Sequence, residues 1–278
     1  MAAPVYEGND STTTITTEYE AVLEQSKIYN QQRSARGIDP LVEFEKGFTK
    51  RAALSEAELK GMGYSKEEIT ALKEYLKGNI SFEAAATRAS ADLTATLTNS
   101  KHTTTRYTCK YSWSWDKTPI GLGEDAFALA MSGIDSKSKA FETKKMSSSA
   151  SVSFHYTDGT FYKTETPSTS TSGNSVKCTF DSYKMNSLGD RWVWAKSGYI
   201  TLSIAPAVSN STTFECARAY GEYAHSTTSS GTIDISVTVD AAGSITVSFT
   251  HSKGNTKRTL WGYKQIIFYN DGTSHEES

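Results

Sequence analysis

The hydrophobic periodicity of this sequence changes once along the chain, and that change constrains the fold more than any other feature. Between residues 18 and 98, apolar side chains recur every three or four positions, as in amphipathic helices. From residue 107 to residue 270 they recur at every second position, as in strands with one buried face. Residues 99–106 carry neither pattern. The sequence therefore predicts an α+β, mainly β protein, in which an N-terminal helical segment and a linker precede a C-terminal antiparallel β-sandwich.

The two ends of the chain fall outside both patterns. Residues 1–17 are predicted to form a flexible mature N-terminus, because small residues at its start precede a polar Ser/Thr stretch, as around a signal cleavage site. A cytoplasmic protein with a disordered leader is the alternative. Residues 271–278 are predicted to form a tail.

The helical segment contains its own start signals. Asp39 and Pro40 can cap and open one helix, and two capping boxes, Ser55 with Glu58 and Ser65 with Glu68, can open two more. The last apolar stripe begins at Phe82 and is predicted to continue along one helix face. Its remaining members are Ala85, Ala86, Ala89, Leu93 and Leu97.

Strict alternation marks the strands that follow. Tyr107 to Trp115 places aromatic residues and a cysteine on one face and hydroxyl or lysine side chains on the other. Ile233 to Phe249 reads as a hairpin around Asp240 to Gly243. About eight such one-sided strands predict two antiparallel sheets packed face to face.

Composition and charge exclude several classes of protein. A net charge of −2 lacks the basic footprint of a duplex nucleic-acid binder, and no apolar run reaches the roughly 18 residues of a transmembrane helix. The chain contains 37 serines and 36 threonines, a bias typical of exported β-rich proteins with hydroxylic outer faces. We therefore expect a secreted, extracellular protein.

Three cysteines, Cys109, Cys178 and Cys216, allow one disulfide at most, and their spacing fits no zinc motif. Each shares its parity with the apolar residues around it, so all three are predicted to point inward. Either two of them form a disulfide, or all three are inert buried thiols.

Two Trp-x-Trp pairs are candidates for ligand contact. Trp113 and Trp115 share a face with core aromatics, which favours a packing role for them. Trp192 and Trp194 follow a Gly-Asp turn and are the better candidates for an exposed aromatic platform. Tyr220 and Tyr223 are further candidates for ligand binding.

Catalytic signals are weak. The sequence has no Gly-x-Ser-x-Gly elbow, its five histidines are scattered singly, and no glycine-rich phosphate loop occurs. Glu222 and His225 lie close together, but their spacing establishes no catalytic pair. We therefore predict no catalytic residues, no cofactor and no metal, and a non-enzymatic role is favoured.

The predicted function is recognition at a cell surface by a monomer, with a glycan or a cell-surface protein as partner. A pore-forming or membrane-active β protein is the first alternative, because Ile233 to Phe249 has the alternation that a lipid-facing hairpin needs. A secreted hydrolase is the second.

The segment Trp113-Ser-Trp-Asp-Lys-Thr-Pro119, together with Lys257-Arg-Thr-Leu-Trp261 and the helical N-terminal part, resembles uncharacterised secreted β-rich proteins of Gram-positive bacteria. This resemblance implies export and brings no active site with it.

Overall fold

The computed structural model describes residues 11–31, 39–121, 123–208, 213–225, 233–240, 242–251, 259–269 and 274–276. Within them are five helices: α1 (Glu18–Gln31), α2 (Pro40–Ala52), α3 (Glu56–Gly61), α4 (Lys66–Leu76) and α5 (Phe82–Ala89). None of these helices is long and apolar enough to cross a membrane.

The predicted helix starts are confirmed. Asp39 accepts a hydrogen bond from the Leu41 amide, and both capping boxes form, with Ser55 and Ser65 as N-caps. The helices cover one another around Phe44, Phe48, Leu59 and Leu72, all fully buried in a cluster separate from the sandwich core.

Sheet A has seven antiparallel strands, numbered in chain order with those of the other sheets: β1 (Ser11–Thr17), β2 (Asp92–Thr103), β3 (Arg106–Trp115), β6 (Thr143–Tyr156), β7 (Phe161–Glu165), β10 (Tyr183–Met185) and β11 (Trp192–Pro206). Their order is β1-β2-β3-β11-β6-β7, and β10 also pairs with β11.

Sheet B also has seven: β4 (Glu124–Ile134), β5 (Ala140–Phe141), β8 (Thr169–Ser172), β9 (Ser175–Asp181), β12 (Cys216–His225), β15 (Thr259–Tyr269) and β16 (Ser274–Glu276). Their order is β16-β15-β12-β4-β9-β8, with β5 paired to β4. Two further strands, β13 (Ile233–Val239) and β14 (Ile245–His251), form a separate two-stranded sheet.

The inner faces of sheets A and B share one core. Trp113 and Tyr111 from sheet A pack with Phe127, Tyr223 and Phe268 from sheet B. Large side chains at alternate positions of each strand fill the space between the sheets. The predicted class, mainly β with an antiparallel sandwich and an N-terminal helical part, is confirmed.

The end of the helical pattern was predicted in the wrong place. Helix α5 ends at Ala89, and Leu93 and Leu97 point into the core from strand β2. A spacing of four residues from Ala89 to Leu93 to Leu97 satisfies a period of 3.6 and a period of 2 equally well, so the stripe could not distinguish them.

Three other segments also differ from the sequence prediction. Residues 99–106, predicted to be a linker, contain the end of β2, a turn and the start of β3. Ser11–Thr17, predicted to be flexible, pairs along β2 at the edge of sheet A, and Ser274–Glu276 of the predicted tail pairs with β15. Residues 1–10 and 252–258, with Lys257 and Arg258, lie outside the described residues.

Candidate functional site

A depression of about 300 Å³ lies on the outer face of sheet A. Because side chains alternate along each strand, the core apolar side chains of β2, β3, β6 and β11 point inward and their hydroxyl-bearing neighbours point outward. The depression is lined by Thr94, Thr96, Lys110, Ser112, Trp113, Ser114, Ser151, Ser153, Ser197, Gly198 and Tyr199.

Gly198 forms the floor of this depression. A β-carbon at this position would lie 2.7 Å from the Ser151 carbonyl oxygen and 2.8 Å from Cζ2 of Trp113. The site therefore requires glycine, and the missing side chain lets the Trp113 indole reach the depression from the core side.

Tyr199 supplies the exposed aromatic surface. Its side chain is 36% exposed, and the Lys110 ammonium lies 4.4 Å from the centroid of its ring. Hydrogen bonds between side-chain hydroxyls of neighbouring strands fix the rotamers on this face. The oxygen atoms of Ser149 and Thr201 lie 2.7 Å apart, and those of Ser153 and Thr164 lie 3.1 Å apart. The described lining residues include no carboxylate, imidazole or thiol, so the chemistry that they offer is hydrogen bonding and ring stacking.

The two Trp-x-Trp pairs have different surroundings. Trp113 and Trp115 are buried in the core, as the alternation favoured. Trp192 is 47% exposed and stacks on Tyr183 at 4.7 Å, whereas Trp194 is only 3% exposed.

Trp192 and Trp194 therefore do not form one platform. Both precede the bulge in the pairing of β11 with β6, which falls between Ala195 and Ser197, so they share one side of the strand, but only Trp192, at the start of β11, remains exposed. Trp194 instead packs into the core, where its indole N–H donates to the Tyr156 carbonyl.

The two candidate tyrosines of β12 point to opposite faces of sheet B. Tyr220 is half-buried against the β13–β14 sheet on the outer face. Tyr223 is fully buried in the core, so it does not reach a ligand in this structure.

A buried acid–histidine network joins three elements near one end of sheet B. His225 Nδ1 lies 2.9 Å from Asp125 Oδ1, and His225 Nε2 lies 3.5 Å from Glu18 Oε1. The Tyr223 hydroxyl donates to Asp125 Oδ2 at 2.5 Å. Glu18 accepts from the backbone amides of Ile120 and Gly121, so these contacts connect helix α1 to the loop before β4.

The electrostatics of this network keep the imidazole charged. Burial lowers the pKa of His225, but the carboxylates of Asp125 and Glu18 raise it, and the resulting pKa is about 9. All three side chains are fully buried, and their contacts tie the helical layer to the sandwich. Within the described ranges, no group of three or more His, Cys, Asp or Glu side chains is arranged to hold a metal ion.

Sequence reasoning missed this network. Glu18, Asp125 and His225 lie far apart in the sequence, so no local motif indicates that they meet. The sequence pattern instead indicated Glu222 and His225, whose side chains point to opposite faces of sheet B. Glu222 is buried on the outer face of sheet B beside Ala128, and burial raises its pKa to about 8.

The three cysteines are free and buried, which leaves the thiol alternative. Cys109 and Cys178 point into the core, where burial raises the pKa of both thiols. Cys216 instead packs on the outer face of sheet B with Ile134 and Ile267, so its predicted direction was wrong. The prediction relied on alternation from Phe214 to Cys216, but β12 begins only at Cys216, so the direction of Phe214 says nothing about the direction of Cys216.

No protein-family model matches the sequence, and no curated protein matches it. Among solved structures, the chain is similar to a pore forming protein, with a TM-score of 0.29 and 10% identity over 68% of this chain and 90% of that one. It is similar to a collagen-binding domain from a Staphylococcus aureus adhesin, with a TM-score of 0.24 and 8% identity over 54% and 90% of the two chains.

It is also similar to the KRT10-binding region domain of the pneumococcal serine rich repeat protein PsrP, with a TM-score of 0.20 and 8% identity over 49% and 78%. Gram-positive surface adhesin domains are thus among its weak structural neighbours. At TM-scores this low the likenesses carry no functional argument, and the function of the chain has to be argued from its own geometry.

Proposed function

We propose that this chain is a secreted, monomeric, non-enzymatic recognition protein, and that the depression on the outer face of sheet A binds a glycan. The observation that carries this proposal is the set of serine and threonine hydroxyls that surrounds the exposed ring of Tyr199 above Gly198.

The chemistry of the lining suits a saccharide. Each serine or threonine hydroxyl both donates and accepts, as sugar hydroxyls do, and an exposed aromatic face can pack against the apolar side of a sugar ring. Strands hold these groups more rigidly than loops would, which lowers the entropy cost of binding. A volume of about 300 Å³ is at the lower end of small-ligand sites, so it suits a short saccharide.

Trp192 is a separate proposed contact. One face of its ring stacks on Tyr183, and nearly half of its side chain remains exposed at the start of β11. It is absent from the lining of the depression, so the two positions can be tested against each other.

A glycan array with two matched variants tests the proposal. Tyr199→Ser removes the ring from the depression, while Trp192→Ser removes an aromatic ring of the same strand outside it. We expect saturable binding to a related set of sugars that Tyr199→Ser abolishes and Trp192→Ser retains. Loss of binding in Trp192→Ser alone would move the site to Trp192, and an array without any binding would refute the glycan proposal.

A membrane-active role is the second candidate, and the β13–β14 sheet is the observation that favours it. Its two strands alternate apolar residues with polar ones, which are hydroxyl residues and Asp234, and lipid-facing hairpins show the same alternation of apolar and polar faces. Dye release from phosphatidylcholine and phosphatidylglycerol vesicles by the full chain tests this candidate.

A further inference from the structure

The hairpin formed by β13 and β14 is attached to the sandwich by one face only. Its seven residue pairs run from Ile233 with His251 to Val239 with Ile245. Within the described residues, neither strand joins the ladders of sheet A or sheet B. The hairpin is therefore an amphipathic ribbon that lies on the outer face of sheet B.

The two faces of this ribbon differ sharply in burial. Ile235, Ile245 and Val247 are buried against sheet B, and Val237 is half-buried beside them. The opposite face is exposed and includes Asp234, Ser236, Thr238, Thr246 and Ser248.

The surface beneath the ribbon is made of alanine. Ala126, Ala128 and Ala130 of β4 and Ala224 of β12 are fully buried against its apolar side chains. In β4 these alanines alternate with Phe127, Leu129 and Met131, which point into the sandwich core.

The core between sheets A and B therefore does not depend on the ribbon, because its side chains come from the other face of β4. Removal of the ribbon would uncover the alanine methyl groups, Tyr220 and Glu222 on sheet B, while the apolar side chains of the ribbon itself would need a new apolar environment.

Three hydrogen bonds run from side chains of the sandwich to backbone carbonyls of the ribbon. Ser132 Oγ donates to the Gly243 carbonyl at 2.7 Å, Arg218 Nη1 donates to the Ala242 carbonyl at 3.3 Å, and Lys177 Nζ donates to the Ile235 carbonyl. Water can replace each of these donors, so release costs little in hydrogen bonding.

Burial of Glu222 beneath the ribbon costs free energy as long as the ribbon lies on sheet B. It pairs with Ala128, so its side chain lies on the face that the ribbon covers. Within the described residues, its Oε2 atom has no hydrogen-bond partner. Release of the ribbon would return this carboxyl group to water.

The ribbon also has the alternation of a lipid-facing hairpin. Seven residues at about 3.3 Å each extend about 23 Å along the strand, and because transmembrane strands tilt by about 45° and take about 9–11 residues, these strands cover part of the apolar band of a bilayer. Neither strand contains proline, and their one carboxylate, Asp234, lies near the start of β13 on the exposed face. A single hairpin in lipid would leave its edge amides and carbonyls unsatisfied, so hairpins from further copies must pair with it.

We infer that β13–β14 is a releasable membrane-inserting hairpin, which leaves the alanine surface as a unit, places its apolar face against lipid and pairs at its edges with the same hairpin of other copies. This inference rests on the membrane-active candidate function.

A disulfide that locks the hairpin to β4 tests the inference. A β-carbon at Gly243 would lie 3.1 Å from Ser132 Oγ, so Ser132→Cys with Gly243→Cys places two sulfur atoms within bonding reach. The three native cysteines are free, so the engineered pair is the one whose sulfur atoms lie within bonding reach of each other. The single variant Gly243→Cys carries the same backbone strain, at a φ of 82°, and is the matched control.

We expect the oxidised double variant to lose dye release from phosphatidylcholine and phosphatidylglycerol vesicles, and a reducing agent to restore it. The control variant should release dye with or without the reducing agent. Equal release by the oxidised and reduced double variant would overturn the hairpin inference and leave a membrane-active role in place. No release by the unmodified chain would overturn both.

A second measurement reports which face enters lipid. An environment-sensitive fluorophore attached to Val247→Cys should shift to the blue on vesicle binding, whereas the same fluorophore on Thr246→Cys should not. Equal shifts at the two neighbouring positions, or a shift at neither, would contradict insertion of the hairpin with its apolar face in lipid.

Discussion

The charge on His225 makes the stability of the folded chain depend on pH, and the substitution His225→Gln exposes that dependence. The imidazole lies between two buried carboxylates, and its pKa is about 9 in the folded chain against 6.5 for an ordinary histidine. Because the folded-state pKa is raised, the contribution is fully present below pH 6.5 and is lost as the pH rises to about 9.

The size of this contribution follows from the shift. Each pKa unit corresponds to about 1.4 kcal/mol, so a pKa of about 9 against 6.5 gives about 3 kcal/mol of unfolding free energy at acidic pH. Glutamine keeps the approximate size of the ring but carries no charge, and it leaves Asp125 and Glu18 without their cation. We expect His225→Gln to lower the unfolding free energy at pH 6 by about 3–5 kcal/mol.

Urea unfolding of both proteins between pH 6 and pH 9.5 measures the effect. The difference between the unmodified chain and His225→Gln should shrink steadily over this range, because only the unmodified chain loses a proton from this site. Subtraction removes the contribution of other titrating groups. A difference that stays constant with pH would refute the charged imidazole and the network built on it.

Other substitutions test the rest of the fold. Burial raises the pKa of the Glu222 carboxyl to about 8, so the unmodified chain should lose up to about 5 kcal/mol of unfolding free energy as the pH rises from 4.5 to 8. Glu222→Gln should not show this loss, and urea unfolding at pH 5 and pH 9 measures the difference. Arg51 is buried and donates to the carbonyls before β4, so Arg51→Met should cost about 3 kcal/mol in thermal unfolding, while exposed Lys50→Met should cost little. Gly221→Ala should destabilise the sandwich by about 3 kcal/mol, because its β-carbon would overlap the Tyr111 ring, and an unchanged melting temperature would contradict that close approach.

The sequence alone predicted the layers of this protein because each layer has its own period. Capping residues such as Ser55 and Ser65 act within one turn, so their effect can be read without knowledge of the fold. The alternation from Tyr107 to Trp115 likewise identified the inner face of β3, and it left hydroxyls on the outer face. The Ile233 to Phe249 hairpin was also evident, since a turn and two alternating strands form a local unit.

The position of the candidate glycan site required the tertiary structure. Gly198, Tyr199 and Lys110 meet only because β11 lies between β3 and β6, and no local pattern specifies that strand order. The same limit explains why Trp192 is exposed and Trp194 is buried, because the neighbours that cover Trp194 come from β6 and β10.

Local sequence determined which segments become helices and strands and which side chains each strand buries, because those preferences act over a few residues. Tertiary structure alone decided that Glu18 and Asp125 surround His225, and that the hairpin rests on the alanines of β4. Contacts between residues a hundred or more positions apart depend on the order in which strands pair, and that order is set by the packing of the whole chain.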